Sequence, residues 1–304
     1  MVRRRWWTAI LETTRLRKLE RNEAINWCSG ASCGGCRVDV QMLSPLDHAV
    51  ISESFTRNAF SDSLVSTSDR ATGKALIDGV QGPFLAVHKF FETIFRPDAS
   101  VKVLAKKDYP FAHEAGVYSS RENEVWFTSN LLRKDGKARV EISRVSLGTG
   151  NVEIVEVDRV RLGNGGCKYR DGIIFCDQGT VQTPSQLVYC DLNDPANARP
   201  ILNNFNGRQF NSLNDVVVLE HSSGDLICFT DPPYGKEQGF RPACQLPPAV
   251  YAFDPTEGHV RMLADGFHHP NGIAFSPDGM TCYVTDTSHI HGSGILDPSL
   301  QSTM

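Results

Sequence analysis

The sequence predicts an all-β fold of the β-propeller type, and three observations carry that expectation. From about Val101 onward the chain reads as short alternating polar and apolar runs punctuated by turn residues. One kind of hairpin then recurs at intervals of roughly 50 residues. A second hairpin follows each of the first three copies, giving the four strands of a propeller blade. A β-sandwich also shows strands every ~8–12 residues, but it predicts no repeat of this length.

The first hairpin of each unit is a strand, a polar turn and an apolar strand ending in a small or acidic residue. Its four copies run from Gly116 to Asn130, Cys167 to Asp177, Asp215 to Asp231 and Gly272 to Asp286. With Thr128, Cys176, Thr230 and Thr285 taken as equivalent, the spacings are 48, 54 and 55 residues. The second hairpins lie in Val140–Val155, Leu187–Leu202 and Val250–Leu263. Beyond Ser288 no strand pattern continues. The sequence therefore holds about four blades, the last without its outer strands, where propellers close with ~4–8.

Residues 1–80 differ in character: they sustain no period, and the stretch Ser61–Arg70 is loop-like. They are expected to form an atypical arm, partly helical or disordered, preceding a propeller region at 85–304. The 304 residues carry a net charge of −4, which argues against a nucleic-acid partner, whose footprint is basic. No segment has the length and apolarity of a membrane span, and no obligate protein partner is implied. The apolar stretch near the start breaks at Glu12 and Arg15, shorter than the ~7–15 residues of a signal-peptide core. The default expectation is cytoplasmic. Of the nine cysteines, six are scattered through strand-like runs. They are expected to be buried single thiols without a disulfide framework.

Three polar residues stand at corresponding places on or just before a blade's inner strand: Glu114, Asn214 and Asn271. Inner strands line the central channel of a propeller, so these residues would converge although distant in sequence. One carboxylate and two amide carbonyls are hard oxygen donors suited to Ca²⁺. Taken singly, Asn-Asp and Pro-Asn-Gly are ordinary turn formers; it is their common register that points to a site.

The segments Leu213-Asn-Asp-Val-Val, Phe229-Thr-Asp-Pro-Pro-Tyr-Gly, His269-Pro-Asn-Gly-Ile-Ala-Phe and Tyr283-Val-Thr-Asp-Thr resemble the SMP-30/gluconolactonase/luciferin-regenerating-enzyme superfamily. Phe111-Ala-His-Glu-Ala-Gly-Val-Tyr is similar to the opening motif of its fungal lactonohydrolases. The resemblance implies a six-bladed propeller with one divalent metal, calcium or another in its place, in the channel. It implies metal ligation by Glu114 and Asn271, and ligation or substrate contact by Asn214. The family's remaining ligand, a fifth-blade aspartate that is also its proposed base, has no counterpart in this sequence. Pro277-Asp-Gly279 is a turn within the fourth blade, and Asp286 ends the wrong strand.

Other signals are weighed beside these. Cys28, Cys33 and Cys36 share the first spacings of a plant-type iron–sulfur loop, but no fourth cysteine follows until Cys167. No metal cluster is expected there. His113, beside Glu114, and His268, in the pair preceding Pro270-Asn271, are either proton-transfer candidates or rim histidines held by backbone. Asp231 reads as a strand-end brace. No serine-hydrolase elbow or phosphate loop occurs. The expected activity is metal-dependent hydrolysis of a sugar or small organic lactone, impaired by the missing blades. The alternative is a non-catalytic propeller fragment that binds a ligand or lacks function.

Overall fold

The computed structural model describes residues 103–220, 224–297 and 299–300, with the strand pair at 41–42 and 85–86. The chain divides into two compact units, Ala9–Val103 and Met1–Thr8 with Leu104–Met304. In the smaller unit, β1 (Gln41–Met42) and β2 (Leu85–Ala86) pair in parallel. The rest of the expected arm, with Cys28, Cys33 and Cys36, lies outside the described residues.

The larger unit is a series of antiparallel sheets in chain order. The first contains β3 (Glu114–Ser119) and β4 (Glu124–Thr128). A small hairpin of β5 (Leu132–Lys134) and β6 (Lys137–Arg139) follows, and then β7 (Ile142–Ser146) and β8 (Val152–Ile154) complete the sheet. The second is β9 (Gly163–Tyr169), β10 (Gly172–Asp177), β11 (Gln186–Asp191) and β12 (Arg199–Leu202). A second small hairpin, β13 (Asn204–Phe205) and β14 (Arg208–Gln209), leads to the third sheet. That sheet is β15 (Val216–Leu219), β16 (Leu226–Asp231), β17 (Ala249–Asp254) and β18 (His259–Ala264). After β16 the chain makes one helical turn, α1 (Tyr234–Glu237). The fourth sheet has two strands, β19 (Pro270–Phe275) and β20 (Cys282–Asp286). Three four-stranded sheets and a two-stranded fourth agree with the repeat read from the sequence.

The core explains why the second strands read as unbroken apolar runs. In β10, Ile173 and Phe175 join the cluster of Ala115, Val117 and Trp126 from the first sheet. Their alternates Ile174 and Cys176 join Val216, Phe229 and Tyr251 of the third, with Phe210 from the segment leading into it. In β17, Tyr251 and Phe253 point back to the second sheet while Val250 and Ala252 meet Ile273 of the fourth. Successive side chains of a strand point to opposite faces, so a sheet stacked on both sides must be apolar at every position. Each such side chain contributes about 1.5–3 kcal/mol on full burial. Cys176, Cys190 and Cys228 fill this core as single thiols, whereas Cys244 and Cys282 are exposed, which corrects the expectation of general burial.

The inner strands are entered through a repeated brace. In the second, third and fourth sheets the carboxylate ending the second strand accepts two backbone N–H groups from the segment leading into the same sheet's first strand. Asp177 Oδ1 takes Arg161 N at 3.0 Å and Leu162 N at 2.8 Å. Asp231 takes Asn211 N at 2.9 Å and Ser212 N at 2.8 Å. Asp286 takes His268 N and His269 N, both at 2.9 Å. In the first sheet Ser129 stands in this place, and its hydroxyl accepts Glu141 N instead. Beside the brace, the buried Arg241 guanidinium donates to the carbonyls of Thr180, Thr183, Phe210 and Asn211. It thereby ties a loop of the second sheet to the entry of the third.

Asp231 is fully enclosed, and burial pushes its carboxyl up to about 7 against the pull of the two amides and Arg241. Asp231→Asn removes one acceptor and aims an NH₂ at a backbone N–H. A loss of about 2–4 kcal/mol is expected, read as a lowered midpoint in chemical denaturation. An unchanged midpoint would show that the brace is dispensable.

Candidate functional site

The site residues occupy one register position in successive sheets. Glu114 pairs across the ladder with Thr128. Asn214 N donates to Thr230 O at 3.0 Å, and Thr230 N to Asp215 O. Asn271 lies within the irregular step between Pro270 and Ile273, opposite Thr285. The same position in the second sheet is Asn164, in the irregular step between Gly163 and Gly166, opposite Cys176. Glu114, Asn164, Asn214 and Asn271 are thus equivalent, 50, 50 and 57 residues apart. Asn164 is 8% exposed and was not singled out from the sequence. The signal was present as Leu-Gly-Asn-Gly, a near copy of the Pro-Asn-Gly segment.

Backbone irregularities set Asn164 and Asn271 apart from the alternation of their strands, and another follows directly after Glu114. In the first, second and fourth sheets two residues of the inner strand face one of its neighbour, the arrangement of a β-bulge, which re-aims side chains. In the first sheet Ala115 sits at φ +55° directly after Glu114, a conformation uncommon for a residue with a Cβ.

The inner-strand starts are stitched from sheet to sheet. Thr128 Oγ1 donates to Asn164 O at 2.9 Å, and Thr230 Oγ1 to Asn271 O at 2.7 Å. Gly165 N donates to Asn214 O at 2.7 Å. A Cβ on Gly165 would lie 2.5 Å from that carbonyl, so only glycine allows the approach. Asp215 bridges onward: its carboxylate accepts Val216 N at 2.9 Å and Ile273 N at 3.1 Å.

Two carboxyls at the inner strand starts are costly to ionise. Burial, and then the charge of Asp215, push Glu114 up to about 7, although 31% of its side chain stays accessible. Burial also raises Asp215, against two backbone amides. The sequence reading counted Glu114 as the sole carboxylate here; Asp215 is a second, within its electrostatic reach. Asn214 is 4% exposed and its Oδ1 is buried without a hydrogen-bond partner. A buried amide oxygen left bare is costly, and a hard cation is the partner such an oxygen would accept. Asn271 Nδ2 donates to Tyr234 Oη at 3.0 Å. Among the described residues no cluster of three or more His, Cys, Asp or Glu side chains is arranged for a metal. Any ion here would depend on amide oxygens together with Glu114.

The histidines divide. His113 is half-exposed, its Nε2 lies 3.8 Å from Glu114 Oε1, and burial lowers its pKa. His268 is exposed and its backbone N–H serves Asp286. His269 is turned away into a buried pair with Glu237 at 2.8 Å.

Blade-like sheets stacked in sequence order, with a polar residue opening each inner strand, define a propeller-type protein with a polar centre. The chain belongs to the SMP-30/Gluconolactonase/LRE-like family, whose model matches residues 113–291. It is 31% identical over 198 residues to the lactonohydrolase oryL of Aspergillus oryzae, covering 62% of this chain and 43% of that protein. It is 32% identical over 96 residues to the gluconolactonase of Zymomonas mobilis, covering 29% of this chain and 24% of that one. The solved structure of a gluconolactonase from Xanthomonas campestris superimposes with a TM-score of 0.53 at 24% identity, over 66% of this chain and 62% of the other. At that identity the likeness speaks to the fold alone. The chain spans less than half the length of either curated relative named here.

Because Glu114 holds its proton more tightly folded than unfolded, the folded state binds the extra proton between its ordinary 4.5 and about 7. Stability in the absence of divalent cations therefore falls as pH rises through that window. Glu114→Gln removes this contribution. Melting temperatures measured in chelator from pH 4 to 8 should fall more steeply for the wild type than for the variant. Parallel curves would place the carboxylate in an ordinary solvated setting.

Proposed function

We propose that this chain carries the site of a divalent-metal-dependent hydrolase that opens a sugar or small organic lactone, with Ca²⁺ held by Glu114, Asn214 and Asn271. The observation that carries the reading is the bare Asn214 Oδ1, buried in register with a carboxylate whose charge is unfavourable alone. A bound cation would polarise the lactone carbonyl and lower the pKa of a coordinated water. The relatives named as lactonohydrolase and gluconolactonase supply the substrate class.

The chain's own residues divide the remaining work. Glu114 supplies the negative charge, and Asp215 adds to it without leaving its two backbone amides. Asn214 and Asn271 supply neutral oxygens, which hold a cation without overcharging the site. Asn164, in the same register and nearly buried, is placed to orient a polar ligand. Proton transfer falls to His113 ahead of His268, because only His113 lies beside Glu114.

Calcium titration of the purified chain by calorimetry, with glucono-lactone hydrolysis followed with and without chelator, tests the reading. One calcium is expected to bind, Glu114→Gln to weaken it ~10–100-fold as a charged contact is lost, and hydrolysis to require the ion. Calcium binding without turnover would reduce the chain to a binding module. Binding untouched by Glu114→Gln would overturn the site.

A further inference from the structure

Asn271 is a carboxamide with one donor end and one acceptor end, and a cation can use only the oxygen. Nothing in the strand itself decides which end faces inward. In the structure the nitrogen end is committed: Nδ2 donates to Tyr234 Oη at 3.0 Å. Tyr234 comes from α1, the turn that follows the Asp231 brace, and its hydroxyl is also bonded to Thr287 Oγ1.

The tyrosine is itself held from two sides. It is 9% exposed, and the His269 ring stacks on it at 5.3 Å with an interplanar angle of 15°. His269 Nε2 is bonded to Glu237 Oε1 at 2.8 Å, at the far end of α1. Glu237 Oε2 accepts Gly292 N at 2.7 Å, which fixes the carboxylate from the segment after β20. A short turn, a stacked imidazole and a part-buried carboxylate thus hold one phenol ring in place, and its oxygen touches a single side chain of the candidate site.

We propose that Tyr234 is a positioning residue which fixes the orientation of the Asn271 carboxamide, so that Oδ1 is the end offered to a cation. The proposal rests on the metal-site reading above and adds to it the group that selects oxygen over nitrogen. Outer partners that orient ligands typically contribute ~10–100-fold to metal affinity. His269 and Glu237 act one step further out, by keeping the phenol ring in place.

Tyr234→Phe keeps the ring and its stack and deletes only the hydroxyl. Calcium affinity of the full chain should fall ~10–100-fold. The same change in an Asn271→Asp background should cost little, because either carboxylate oxygen can meet the ion. A purely structural tyrosine would cost both backgrounds equally, and that result would overturn the proposal. A readout independent of metal is the side-chain NH₂ resonance pair of Asn271 in chelator. It should show one hydrogen-bonded proton in the wild type and lose it in Tyr234→Phe; an unchanged pair would also overturn the proposal. If the wild type binds no calcium while the NH₂ pair responds as stated, the metal reading fails and the positioning contact stands.

Discussion

The structure depends on a carboxylate that closes three of its four repeats on themselves. Where the chain turns from an outer strand into the next inner strand, two consecutive backbone N–H groups face inward with no ladder partner. Buried and unpaired, each would cost about 1–3 kcal/mol. Asp177, Asp231 and Asp286 accept both donors in their respective sheets. The second donor of each pair is Leu162, Ser212 or His269, and two residues on stand Asn164, Asn214 and Asn271. A brace that makes the blade therefore also sets the height of the polar residue that opens its inner strand. The first sheet has Ser129 instead, and there His113 N, bonded to Thr128 O at 2.7 Å, and the left-handed Ala115 place Glu114.

Much of this was legible in the sequence, and the reasons are physical. The repeat was visible because every blade spends the same apolar residues on two buried faces. Ile173 through Cys176 look like an undifferentiated run but serve two cores by turns. The brace at Asp231 was legible because a carboxylate ending an apolar strand has few other uses. Two small hairpins escaped notice although their turns are strong signals. Asp135-Gly136 and Asn206-Gly207 all have positive φ, the pattern of a type I′ turn, but strands of two or three residues show no period. Asn164 escaped because its glycine neighbours read as loop. Asp215 passed for half of a turn-forming pair, and the role of Tyr234 passes between elements that no local pattern connects.

Among the described residues, the inner strand starts bring carboxylates together without a cationic side chain of the kind that the brace has in Arg241. The buried charges of the brace are matched: Arg241 spends its donors on carbonyls, and Asp231 sits against amides. At the inner strand starts, burial and then the charge of Asp215 raise the cost of ionising Glu114, and the amide oxygen of Asn214 is bare. The cation proposed above would offset that cost and give the bare oxygen a partner.

The doubled step at the inner strand starts has a consequence for how such a protein can change. In a regular strand each side chain is claimed by one face or the other, and exchanging it disturbs the stacking of two sheets. Where two residues face one, a position is released from that claim while its backbone stays tied to its neighbours. In the second and fourth sheets the released position holds Asn164 and Asn271, whereas Glu114 keeps its ladder partner just before the doubled step and Asn214 precedes a strand that has none. At those two steps a side chain can be exchanged, and the local charge with it, while the pairing on either side is kept.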